Sequence, residues 1–246
     1  MSTFASKLKR NSKNILSGVM LAAALGAAGA VQADVLTFEQ PIDSPVLIDS
    51  TETVFGNFWI DTFTGANDGA GLAGLVIDGS DNGLCSLNCP INNSTNYLSI
   101  LDDSYFYFGL NSGADMRVKS LQASFIGNGQ TAFGSPAGVL VITGYSATGT
   151  LLATANQVAL AAPNAAGQFN FATYDLGAFA DTAVSFVRVL GYACDITGSC
   201  SRATGLSNFA VDNITTLEAT VPEPSSIALF GLAAAGLLAA RRRRAA

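Results

Sequence analysis

Between Asp34 and Thr220 apolar and polar residues alternate with a period of two, and Gly, Asn and Asp interrupt the runs. No segment there shows the 3.6-residue apolar period of a helix. This pattern constrains the fold most, because period two places every second side chain on one buried face of a strand. Strands are expected at 35–39, 57–63, 97–101, 104–110, 116–126, 168–174, 184–190 and 209–218. A hairpin is expected where 138–145 runs through Ser146-Ala-Thr-Gly149 into 150–154. A Gly/Asp/Asn-rich stretch from Thr64 to Asn96 separates the early strands. Some ten short strands with such turns predict an all-β fold, an antiparallel β-sandwich of jelly-roll type, with an open β-barrel as the alternative.

The two ends differ from this middle. Lys7, Lys9, Arg10 and Lys13 precede an Ala-rich apolar stretch that closes at Val31-Gln32-Ala33. Small residues three and one positions before a cut suit signal peptidase, so residues 1–33 read as an N-terminal signal helix removed after Ala33 during Sec export. The body from Asp34 to Thr220 then keeps four cations (Arg117, Lys119, Arg188 and Arg202) against 17 acids, a net charge of −13. Such a body is repelled by nucleic acid and by anionic lipid.

The four cysteines fall in two close pairs, Cys85 with Cys89 and Cys194 with Cys200. An even count in an exported chain favours disulfides. Three pairings are formally open, and the two local loops are expected. The chain has no histidine. That removes Ser-His-Asp and Cys-His pairs and the usual ligand of zinc sites. Two carboxylates could still serve a glycosidase, but the acids read as solvated loop residues, and Asp102 beside Asp103 would point to opposite faces of a strand. Gly69 to Gly74 match G-x-G-x-x-G without the strand–helix context that binds a dinucleotide. Asp78 to Gly83 partly mimic a calcium loop, but its twelfth position is Cys89. In 105–108 the tyrosines share one face and the phenylalanines the other. Phe106 and Phe108 suit the core. Trp59, Tyr105, Tyr107 and the Phe residues suit either ordinary sheet packing or stacking against sugar rings.

The end of the chain reads Pro222-Glu223-Pro224, an apolar run at 227–240, and then Arg241, Arg242, Arg243 and Arg244. Fourteen residues make about 21 Å of helix, short of a hydrocarbon core of about 30 Å. The arginines fit a stop on the cytoplasmic side of a single membrane helix. These three parts in this order, behind an N-terminal signal, resemble the PEP-CTERM sorting signal of Gram-negative bacteria. Val35 to Glu39 and Asn208 to Ile214 resemble the first and last strands of its QFxxD-motif subfamily, with Asn208 where that motif has Gln.

The resemblance implies that 221–246 is a sorting tail. It implies transient anchoring in the inner membrane and processing by an exosortase near Pro222, Glu223 and Pro224. The protein would then be released to the cell surface or to an exopolysaccharide and biofilm matrix. By analogy with carbohydrate-binding jelly rolls, Glu39 and Asp212, with Asp43, are candidate oxygen ligands for a structural Ca²⁺ where the first and last strands meet. The alternative is that Asp212 and Asn213 only shape the final strand. No other cofactor is expected. The first functional expectation is a non-enzymatic structural or adhesive matrix protein. The second is a carbohydrate-binding module for extracellular polysaccharide, and the third an extracellular hydrolase.

Overall fold

A computed structural model describes residues 33–41, 44–65, 71–81, 85, 87–154, 157–202 and 205–219. The expected signal and membrane helices lie outside these residues, as do Asp43 and the sorting tail. The described chain forms β1 (Ala33–Leu36), β2 (Val46–Ile48), β3 (Thr51–Phe55), β4 (Phe58–Phe63), β5 (Leu72–Asp78), β6 (Asn96–Ile100), β7 (Tyr105–Leu110) and β8 (Met116–Phe125). It continues through β9 (Gly138–Tyr145), β10 (Leu151–Thr154), β11 (Val158–Leu160), β12 (Ala172–Asp175), β13 (Phe186–Cys194), β14 (Cys200–Ser201) and β15 (Phe209–Glu218). A short 3-10 turn at Gly177–Asp181 precedes β13.

All pairings between these strands are antiparallel and form two sheets. The first sheet runs β12-β8-β15-β6-β5-β2, with β1 also on β15. The second runs β10-β9-β13-β7-β4-β3, with β11 also on β9 and β14 on β13. The alternating residues do what the period requires. Phe58, Ile60, Phe106, Phe108, Ile142, Val187 and Val189 of the second sheet face Val118, Leu121, Phe125, Phe209, Val211 and Ile214 of the first, all buried in one core. At about 25 cal/mol per Å² of apolar surface, these large side chains supply the main driving force for the sandwich.

The sequence reading differs from the structure at several points, among them the short strands β2, β3, β11 and β14, which it did not expect. The stretch 64–96 contains a full strand, β5. The run at 168–174 enters the ladder only at Ala172, because the Phe169 carbonyl accepts from Ile91 N and Phe171 N donates to Asn92 Oδ1. Asp102 and Asp103 are not in a strand. They form a tight turn, closed by Ser104 N donating to the Leu101 carbonyl, with φ of 52° and 60°.

Candidate functional site

The outer faces of the two sheets are finished differently. On the first sheet Ile77, Tyr97, Ile126 and Ala210 form a second apolar cluster, packed against Leu87, Phe171 and the Cys85–Cys89 loop. Tyr97 is wholly buried there, and desolvation pushes its hydroxyl up to about 12. The outer face of the second sheet carries a larger set of aromatic rings, all of them half-buried rather than covered. They are Trp59 and Phe63 on β4, Tyr105 and Tyr107 on β7, Tyr145 on β9 and Phe186 on β13.

Register puts these side chains in rows across the strands. One row runs Val54, Trp59, Gly109, Phe186, Tyr145 and Leu151. The next runs Glu52, Asp61, Tyr107, Arg188 and Thr143. A third runs Phe63, Tyr105, Leu190 and Val141. Six strands at about 4.8 Å spacing make a face roughly 24 Å across. The rings touch one another. Tyr145 stacks on Phe186 at 5.1 Å, Phe63 stacks on Tyr105 at 5.4 Å, and Tyr107 meets Phe63, Tyr105 and Phe186 edge-on at 5.5 to 5.9 Å. Trp59 lies over Gly109, where an added Cβ would stand 2.8 Å from its indole. The missing side chain lets the indole approach the backbone of β7 closely, and Trp59 stays half-buried.

Charges lie at the two ends of the middle row. Asp61 stands opposite Glu52 on the edge strand. Its carboxyl is raised above the usual range, first by desolvation and then by the charges of Glu52 and Asp49, and its Oδ1 is buried without a hydrogen-bond partner. On the other side of Tyr107, the Arg188 guanidinium lies over the Tyr145 ring at 5.9 Å. Arg202 reaches in from the segment after β14 and lies over Tyr105 at 5.5 Å, while its Nη2 donates to the Asp103 carbonyl. The Nε atoms of both arginines are buried and unpartnered. Desolvation raises the Tyr105 hydroxyl, and both arginines act on it in the opposite direction.

The turn at Asp102 and Asp103 fixes this corner. Asp103 accepts from Gly205 N (2.7 Å) and Ser207 N (3.0 Å), and Asn208 Oδ1 accepts from Asp102 N (2.6 Å). The segment carrying Arg202 is thereby tied to the start of β7. Its other end is closed by the Cys194–Cys200 disulfide, where β13 pairs with β14.

Residues 220–244 match the model of the PEP-CTERM protein-sorting motif. The chain carries a PEP-CTERM tail. The tail implies exosortase processing and marks an exported protein that is transiently membrane-anchored. No curated protein matches the chain closely enough to count as a relative. Among solved structures, a DUF4465 family protein from Bacteroides caccae is similar in fold, at a TM-score of 0.53 and 13% identity over 76% of this chain and 99% of that one. A family 29 carbohydrate-binding module is more distant, at a TM-score of 0.34 and 9% identity over 76% and 92%. The tandem family 22 modules of a Paenibacillus barcinonensis xylanase give 0.34 and 14% over 79% and 51%.

The remaining candidates of this PEP-CTERM chain fall as follows. Cys85 bonds to Cys89 and Cys194 to Cys200. Ala33 opens β1, opposite Leu217. Pro222, Glu223, Pro224 and Arg241 to Arg244 lie outside the described residues, and among the described residues no helix is long and apolar enough to cross a membrane. The glycine run leads into β5, and Asp78 accepts from Ser80 N and Oγ in a turn.

Glu39 and Asp212 are brought close enough for the Glu39 charge to act on Asp212, whose pKa is raised, mainly by desolvation. Protein donors occupy the Asp212 oxygens. Oδ2 accepts from Asn93 Nδ2 (2.9 Å), Thr95 Oγ1 (3.3 Å) and Asn213 Nδ2 (2.9 Å), and Oδ1 accepts from Asn213 N (2.7 Å). Glu39 Oε1 accepts from Asn96 N (2.7 Å). Among the described residues no three acids or cysteines gather as a metal set. Asp212 sits at the irregularity where β15 changes neighbour from β6 to β1, with Asn213 at φ 47°.

Sequence reading offered Trp59, Tyr105, Tyr107 and the Phe residues, none singled out, as a possible platform. It did not join Tyr145, Arg188 and Arg202 to them. The outward position of Arg188 was legible, and with it that of Phe186 two residues earlier. Which strands lie side by side was not.

Proposed function

We propose that this is a non-enzymatic, exported surface or matrix protein whose sandwich holds saccharide chains on the aromatic face of the second sheet. The observation that carries this is the set of six half-buried aromatic rings gathered on one sheet face, with no second apolar cluster over it among the described residues, while the equivalent face of the first sheet is capped by a disulfide-closed loop. Half-buried aromatic rings offer apolar planes on which the C–H faces of sugars stack, and neighbouring polar side chains orient the hydroxyls. Trp59 over Gly109 has the geometry for that role. A structural or adhesive role in a matrix follows from the same contact, because a protein that grips polysaccharide joins the matrix it enters. Glu52 and Asp61 stand side by side at one edge of the face rather than on opposite sides of a groove, which favours binding over hydrolysis.

The route is part of the proposal. Sec export and signal-peptidase cleavage after Ala33 deliver the body across the inner membrane of a Gram-negative cell. The apolar run at 227–240 and the arginines at 241–244 hold it there until an exosortase cuts near Pro222-Glu223-Pro224. The processed protein is then released to the cell surface or the exopolysaccharide matrix. The test is affinity electrophoresis of the processed protein through gels carrying polysaccharides. Retardation is expected for the wild type and should be lost in Trp59→Ala and Tyr107→Ala variants that keep the wild-type circular dichroism. Retardation that survives both substitutions would remove the aromatic face from the binding reaction.

A further inference from the structure

Between Asp34 and Thr220 acids outnumber cations 17 to four. Two of those four cations stand at the aromatic face. Lys119, on the other sheet, has found Asp181 at 3.7 Å, the one ion pair among the described residues. The Arg188 side chain has neither an ion pair nor a hydrogen bond among the described residues. Its guanidinium carbon lies 5.9 Å from the centre of the Tyr145 ring, and its stem-side nitrogen is buried with no partner among the described residues. The nearest acid along its row is Asp61, two strand spacings or about 10 Å away, with Tyr107 between. Arg202 is fixed to the Asp103 carbonyl and to the Tyr105 ring on the same side of the face. The face is therefore polarised, with Glu52 and Asp61 on β3 and β4 and two guanidinium groups around Tyr105 and Tyr107.

We propose that this face selects acidic polysaccharide, binding a carboxylate-bearing sugar over Tyr105 and Tyr107 with its carboxylate on the Arg188 fork. Arg202 forms the second cationic contact, and Asp61 with Glu52 accepts hydroxyl donors from the neighbouring sugar. The inference rests on the saccharide reading above and adds the class of saccharide. A planar guanidinium meets a carboxylate through two parallel hydrogen bonds, and a guanidinium already stacked on a tyrosine loses little freedom in doing so. A body of net charge −13 approaches a polyanion only where local cations offset the general repulsion, and at about 0.15 M salt that repulsion is screened beyond about 8 Å.

The test compares polygalacturonate, its methyl ester and dextran sulfate as ligands of the processed protein at that salt concentration. The acid should bind at least about tenfold more tightly than the ester, the difference expected from one charge-assisted pair. Arg188→Gln should erase that preference. Arg117→Gln, which removes the same charge from the first sheet, should leave it intact. If the ester binds as tightly as the acid, the acidic-ligand inference fails while the saccharide reading stands. Equal binding of dextran sulfate, or an equal loss in Arg117→Gln, would reduce the effect to net charge and also overturn it. If none of the three binds and neutral glycans do not bind either, both readings fail. A dimer that Trp59→Ala dissociates would assign the face to a second copy of the chain and overturn both.

Discussion

Gly109 and Trp59 make one unit. An alanine at position 109 would put a Cβ 2.8 Å from the indole, and the ring must lift or slide. Gly109→Ala is expected to cost about 1–3 kcal/mol, the range for overpacking. Trp59 is the one tryptophan of the chain, so its emission reports the displacement directly. An unchanged emission spectrum in Gly109→Ala would mean that the ring does not rest on this backbone.

The carboxyls set a second expectation at this scale. Asp61 and Asp212 are raised above 3.8, both chiefly by desolvation. Between 3.8 and their raised values the folded state holds more protons than the unfolded chain, so stability falls as pH rises through that window. Asp49, Asp78 and Asp195 are lowered, the first mainly by the Thr64 backbone N–H and the others mainly by side-chain hydroxyls. Their contribution is present above 3.8 and is lost as pH falls through their lowered values. The melting temperature should therefore rise as pH drops through the raised values of Asp61 and Asp212 towards 3.8 and turn down below that. Asp61→Asn should remove part of the rise. A melting temperature that falls steadily from pH 7 to 4 would contradict this assignment.

Among the elements, the hairpin of β13 and β14 links one disulfide to the binding face. Cys194–Cys200 closes a loop of sequence separation 6, and two residues beyond it Arg202 lies on Tyr105. In the loop-entropy model such a short loop is worth about 2 kcal/mol. A double Cys194→Ala, Cys200→Ala variant should lose about that much and should also weaken ligand binding through Arg202. The Cys85→Ala, Cys89→Ala pair lies on the other sheet and should leave binding unchanged. Denaturant unfolding and a binding assay on the same samples distinguish the two loops.

Element existence was legible where burial is one-sided. β4 alternates throughout and β7 over its first half, and the sequence reading placed both, with the more fully buried β9 and β15, within a residue or two. β5 escaped because Leu72 to Ile77 pack on both faces, against the core and under the Cys85–Cys89 loop, which erases the period. β2 and β3 escaped for the opposite reason. They are short, exposed edge strands, with Ile48 and Val54 about half in solvent. The run 168–174 alternates without being a strand throughout, because Phe169 fills the core from a loop.

For the whole molecule, the tail was more legible than the site. The motif at 220–244 is local, and its three parts are contiguous in sequence. The aromatic face draws on β4, β7, β9, β13 and the segment after β14, and neighbour order in a sheet is a long-range property that spacing does not encode. Arg188 pointed outward in the sequence, but nothing local put Tyr107 on one side of it and Tyr145 on the other. If the route is right, intact mass of the surface form should lack residues 1–33 and the arginines at 241–244, with both disulfides formed. A surface form that retains those arginines would remove exosortase processing from the account.

The central claim is that the open face of the second sheet takes polysaccharide. Its most direct test is Trp59 emission during titration of the processed protein with acidic and neutral polysaccharides, followed in parallel by calorimetry. Binding on this face should give a saturable change in Trp59 emission whose midpoint matches the calorimetric affinity. Heat of binding with no response from Trp59 would place the ligand elsewhere on the molecule and contradict it.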